Sequence, residues 1–127
     1  MERQEVVLRS VHAHQFLEAA IDIRDLYGDR TNVSVSNAVL AGIAASDAIC
    51  GRALGRRPAG ENHKDAIELL KTATVNGPAY ARDLARLLEM KTNSQYSPMT
   101  LTRASAEKAI EWATRLVGAM DELLRSA

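Results

Sequence analysis

Residues 36–70 read SNAVLAGIAASDAICGRALGRRPAGENHKDAIELL, and the rest of the chain is organised around them. Between Val33 and Gly51 the only ionisable side chain besides the thiol of Cys50 is Asp47. Val35, Val39, Gly42, Ile43, Ser46, Ile49, Cys50 and Ala53 fall on one helical face, while Leu40, Ala44, Ala48 and Leu54 make the opposite side apolar too. A helix with no polar face is surrounded by protein, and its Ala and Gly residues let neighbouring backbones come close. The run has the length of a membrane span, but Ser34, Ser36, Asn37, Ser46 and Asp47 interrupt it, so it reads as a buried core helix. Either Ser34 or Ser36 is placed to cap its start. Beyond it comes a basic Pro/Gly loop with Arg52, Arg56 and Arg57, and then Asn62 as the cap of a new helix opened by His63.

Working outward, the first helix is expected from Gln4 to Tyr27, with Leu8, Val11, Phe16, Ala19, Ala20, Ile23, Leu26 and Tyr27 as its core stripe. After Asn62, residues Ala66, Ile67, Leu69, Leu70 and Ala73 form a buried side, and Asn76-Gly77-Pro78 stops and restarts the chain. Tyr80, Leu84, Leu87 and Leu88 define the next face, ending near Lys91. Residues 92–102 read as an ordered loop holding Tyr96. The last helix has the cleanest three-four spacing, from Ala106 through Ile110, Ala113, Leu116 and Met120 to Leu124. No segment has the two-residue period of a strand. The expectation is one all-α domain over residues 1–127, an up-and-down helical bundle of four long segments with the third broken at Gly77-Pro78.

At 127 residues the chain can bury a core without metal or disulfide staples, and its single cysteine excludes an internal disulfide framework. Sixteen basic residues balance sixteen acidic ones, which argues against broad non-specific nucleic-acid binding. The N-terminus, MERQEVVLRS, lacks a hydrophobic signal core, so the expected location is cytoplasmic. His12 and His14 cannot share a helix face, no carboxylate-bridged Glu-x-x-His motif occurs, and no glycine-rich phosphate loop is present. No metal and no cofactor are therefore expected.

Asp47 is the most informative single residue. A lone acid in an apolar helix needs a donor, and Lys91, Arg52 or the Tyr96 hydroxyl are the expected ones, with Asp47→Ala costing about 2 kcal/mol. His63, in the first turn of its helix, is placed to act as a general base, as a hydrogen-bonding partner, or as packing against the preceding helix. Arg52, Arg56 and Arg57 can bind a phosphate or simply complement the carboxyl end of their helix.

Three pieces, SNAVLAGIAASDAI, GENHKDAIELL and LARLLEMKTNSQYSPMTLTRASAEKAIEWATRLV, together give the chain a family likeness from Ser36 to Val117. It resembles the HEPN superfamily, small helical bundles of prokaryotic nucleotidyltransferase-linked and defence systems. The resemblance implies a cytoplasmic homodimer that is either a metal-independent ribonuclease or a non-catalytic partner, as in toxin–antitoxin pairs with a nucleotidyltransferase-type protein. Catalytic members carry Arg, four to six residues, then His. Arg57 and Arg56 both meet that spacing to His63, and Arg9 meets it to His14. Pro58 departs from the pattern, because a polar residue usually follows the arginine. The expected function is a dimerising, non-catalytic module that binds a protein or RNA partner, its Ala-rich second and last helices pairing between subunits as well as within one. The alternative is a ribonuclease in which Arg57 or Arg56 steadies the phosphate and His63 assists attack by the ribose 2′-hydroxyl.

Overall fold

The computed structural model describes residues 1–56, 62–95 and 98–126. They form five α-helices: α1 (Arg3–Leu26), α2 (Thr31–Leu54), α3 (His63–Ala73), α4 (Gly77–Gln95) and α5 (Arg103–Arg125). Among the described residues there is no strand, so the protein is all-α.

α2 packs against each of the other four helices. Ala38, Ala41, Ala44, Ala45 and Ala48 are fully buried along it, together with Val35, Val39 and Cys50. By length and composition α2 is apolar enough to cross a membrane, yet most of its most apolar window is buried within the protein. The small residues set the spacing of the core. A Cβ on Gly42 would lie 2.5 Å from Leu87 Cδ1 and 3.4 Å from Leu116 Cδ1, so α4 and α5 both close onto α2 at this point. Leu84, Leu87, Leu116 and Met120 supply the bulk that the alanines lack, each contributing roughly 1.5–3 kcal/mol by leaving water.

The helix ends show where local chemistry decides. Asn62 accepts a hydrogen bond from the Lys64 amide at 2.9 Å, and Thr102 accepts one from the Ser105 amide at 3.0 Å, each satisfying an amide of the first turn. Gly55 closes α2 in the left-handed region, with φ 71°. Pro78 sits in the first turn of α4, as the sequence predicts. The start of α2 differs from expectation. It begins at Thr31, and neither Ser34 nor Ser36 caps it. The Ser34 hydroxyl donates to the Ala20 carbonyl of α1 (2.8 Å), and the Ser36 hydroxyl donates to Ser94 of α4 (3.1 Å). The Asn32 amide group donates to the Met99 carbonyl (3.0 Å), while its carbonyl oxygen accepts from the Leu101 amide (2.7 Å). Thr31 donates to the Leu101 carbonyl at 2.6 Å. These bonds pin the approach to α5 onto the start of α2. α4 itself continues past the expected end at Lys91 to Gln95.

α1 corrects the sequence reading most. Its buried line is Val6, Ala13 and Ala20, seven residues apart, and it faces α2 and α5. Leu8, Val11, Leu26 and Tyr27, expected in the core, are exposed by 54%, 44%, 72% and 47%. The helix is rotated so that small residues meet α2. This follows from α2 being an alanine surface, which a neighbour approaches most closely through its own small side chains.

Candidate functional site

The corner between α2 and α3 holds Arg52, Arg56, Asn62 and His63. Arg57 lies outside the described residues. Arg52 donates from Nη2 to the Ser126 carbonyl at 3.2 Å and so ties the end of α2 to the end of α5. Arg56 is exposed just beyond Gly55. The Asn62 side chain is committed to capping α3. His63 is the first residue of that helix and is exposed rather than packed against α2. Among the described residues no hydrogen bond or ion pair joins His63 to Arg52 or Arg56. The corner therefore presents cations at one helix end and an open imidazole at the start of the next.

Asp47 turns elsewhere. Arg9 of α1 donates to its Oδ2 from Nε at 3.2 Å, and Arg9 Nη2 stands 3.1 Å from the same oxygen. Arg9 Nη1 lies 3.3 Å from His12 Nδ1, and the His12 ring is tilted over Phe16 with centroids 6.4 Å apart. This row crosses the α1–α2 seam, with Asp47 17% and Arg9 24% exposed at their side chains. Lys91, one of the expected donors, is too far along α2 to take this role. α4 runs antiparallel to α2, with Leu87 against Gly42 and Ser94 against Ser36. Lys91 is consequently level with the first half of α2, while Asp47 lies about 16 Å beyond Ser36 along the axis. Arg52 is engaged with Ser126, and Tyr96 lies outside the described residues. Asp47 and Lys91 thus lie at different levels of α2.

Sequence reasoning passed over the most buried carboxylate among the described residues. Asp83 of α4 is 4% exposed and receives a two-pronged pair from Arg115 of α5, Nε to Oδ2 at 3.0 Å and Nη2 to Oδ1 at 2.9 Å. Arg115 is steadied by Glu111 one turn back (3.0 Å), and Arg86 stands 3.7 Å from Asp83 while lying over the Trp112 ring at 5.7 Å. A signal was present: Asp83 falls three residues after Tyr80 and four before Leu87, on the face read as apolar. The shared geometry of carboxylate and guanidinium makes this a joint between α4 and α5.

Cys50 is fully buried, and burial pushes its thiol up to about 11, away from the thiolate a nucleophile needs. Among the described residues no three His, Cys, Asp or Glu side chains are grouped to hold a metal ion. His14 pairs with Asp121 of α5 at 2.7 Å and so links two helices. An open groove of about 580 Å³ lies between the start of α1 and the ends of α2 and α5, lined by Arg3, Val6, Val7, Arg52 and Leu124 among others. It adjoins an apolar face of α1 formed by Val7, Leu8 and Val11. The chain matches no model of a known protein family, and no characterised protein matches it in sequence.

Proposed function

We propose that this protein is a non-catalytic, HEPN-like module that forms a homodimer and binds a protein or RNA partner. The proposed setting is a cytoplasmic toxin–antitoxin or defence system with a nucleotidyltransferase-type protein. The finer architecture in this reading is an up-and-down bundle of four segments, α3 and α4 together forming the third. The observation that carries the reading is the outward face of α1, where Val7, Leu8 and Val11 stand 53%, 54% and 44% exposed beside a closed core. An apolar face of this kind is the ordinary mark of an association surface. Ala38, Ala41, Ala44, Ala45 and Ala48 of α2 and Ala106, Ala109 and Ala113 of α5 are packed inside the subunit, so this reading places the association surface on α1 rather than on them.

One observation favours the second reading, a metal-independent ribonuclease. His63 is exposed at the start of α3, where a general base must be to reach an RNA hydroxyl. The two readings separate by incubating the purified protein with single-stranded and structured RNA in chelator, beside His63→Ala. Intact RNA with a dimer in sedimentation supports the module. Cleavage that disappears in His63→Ala overturns it in favour of the enzyme.

A further inference from the structure

The open groove between the start of α1 and the ends of α2 and α5 joins an apolar lining to two guanidinium groups. Val6 and Val7 line it from α1 and Leu124 from α5, with Met1 beside them. Gly51 lets Val6 sit against the backbone of α2, since a Cβ there would lie 2.8 Å from Val6 Cγ2. A volume of about 580 Å³ is in the range of small-molecule sites. The arginines come from two helices, Arg3 from α1 and Arg52 from α2. Both are exposed, and among the described residues neither forms an ion pair with an acid. Within the same residues Arg52 gives one N–H to the Ser126 carbonyl (3.2 Å) and Arg3 gives none, so most of their donors are open. Arg9, Arg24, Arg86, Arg103 and Arg115 differ, each standing beside a carboxylate.

The acids at this end of the bundle lie outside the groove; among the described residues none lines it. Glu2 precedes α1 as its N-cap residue, and Glu5 falls about 200° round the helix from Arg3. Glu122 of α5 lines a separate cleft with Thr74 and Tyr80. Arg56 and Arg125, at the ends of α2 and α5, add cations rather than acids. Two guanidinium groups at one concavity, without an acid between them, favour an anion. A bare inorganic anion would leave the valine and leucine lining in water, and an uncharged hydrocarbon would leave both forks unfilled. A carboxylate or phosphate matches the planar fork of arginine, and a chain attached to it covers the lining. We infer that the groove binds a single-chain amphiphile with an anionic head, carboxylate or phosphate. Its head lies against Arg3 and Arg52, and its chain against Val6, Val7 and Leu124. This goes beyond the module reading and does not depend on it, so either can fail alone.

Isothermal titration calorimetry on the whole chain tests this with octanoate and octyl phosphate, beside octanol and acetate. At least one of the two anionic amphiphiles should bind with a Kd below about 1 mM, and the tighter of them identifies the head. Octanol keeps the chain without the charge and acetate the charge without the chain. Each should bind more weakly by about tenfold or more. Arg3→Gln and Arg52→Gln should each lower the affinity about tenfold, and Val7→Asp, which puts a carboxylate in the groove, should abolish binding. Arg3 and Val7 are exposed, so those two variants should melt as wild type does and keep the test clear of any loss of fold in Arg52→Gln. Octanol or acetate binding as tightly as the amphiphiles refutes the pairing of charge with chain. Amphiphile binding that is unchanged in Arg3→Gln and Val7→Asp refutes the groove as its site. Absence of binding by both amphiphiles, including in a chain whose groove a second copy covers, refutes the proposal.

Discussion

Asp47 and Asp83 both sit on helix faces that are otherwise apolar, and each pairs with an arginine of another helix. The resemblance ends there. Asp47 and Arg9 lie at the rim of the α1–α2 seam, with 17% and 24% of their side chains in contact with water. Asp83 is held inside the α4–α5 seam at 6%, while its partner Arg115 reaches out to 45%. If Asp47 is removed, Arg9 can relax toward solvent; if Arg115 is removed, Asp83 has nowhere comparable to go. How hydrophobic a helix looks is thus a poor guide to what its acid costs. The depth of the carboxylate and the freedom of the partner left behind decide it.

The sharpest way to break this contrast is Arg115→Ala. It leaves a buried carboxylate with Arg86, 3.7 Å away, as its remaining ion-pair partner among the described residues, and it should cost about 3 kcal/mol in urea unfolding. A loss no larger than that of an exposed arginine would mean that Asp83 is not committed to the joint.

A second measurement probes the medium beside Asp47 through Cys50, one turn further along α2. The folded thiol is raised to about 11 from an ordinary value of 9.0. Stability from the protonated thiol is therefore complete below about pH 9 and is lost as pH rises toward 11, because the unfolded chain releases that proton first. The loss should amount to about 2 kcal/mol over that window and should be absent from Cys50→Ala. Parallel pH profiles for wild type and variant would show instead that water reaches the thiol.

Asp47→Ala should cost about 1.5 kcal/mol in a denaturant melt, less than Arg115→Ala because its pair is at a rim. Equal costs at the two sites would erase the distinction. His14→Ala completes the series: its pair with Asp121 is exposed at 53% and 32%, so the expected change is below about 0.5 kcal/mol. A larger effect would show that the α1–α5 seam depends on this link.

What the sequence disclosed follows the reach of the interactions involved. α5 was legible because Ala106, Ala109, Ile110, Ala113, Leu116, Val117 and Met120 are all buried on one stripe, and a periodic pattern needs no knowledge of the partner. The Asn62 cap and the Pro78 restart were legible for the same reason, being settled within a turn. α1 was misread in part: Ala20 of the expected stripe is buried and Phe16 packs against the core, whereas Leu8, Val11, Leu26 and Tyr27 face outward. Val6 and Ala13, which the stripe left out, are buried, and an alanine adds little hydrophobic weight to any window. Arg9 as a partner of Asp47 was not legible. Arg9 is 38 residues away, and only the docking of α1 on α2 brings them together. The corner at His63 was found as a place, but Arg57, one of the two arginines that would make it a catalytic pair, lies outside the described residues.

The closeness of Leu87 and Leu116 to Gly42 has a consequence for which sequences this fold can accept. A helix of Gly, Ala and Ser at the centre loses little side-chain rotamer freedom on folding, and it leaves its neighbours no slack. Tolerance should therefore be lopsided. Leucines of α4 and α5 can be exchanged for residues of similar volume with modest loss, whereas an added methyl at Gly42 must displace the Leu87 side chain of α4, with Leu116 of α5 already in contact on the other side. Variation that preserves the fold should collect in the helices that surround α2, with upper limits on size, rather than lower ones, governing α2 itself.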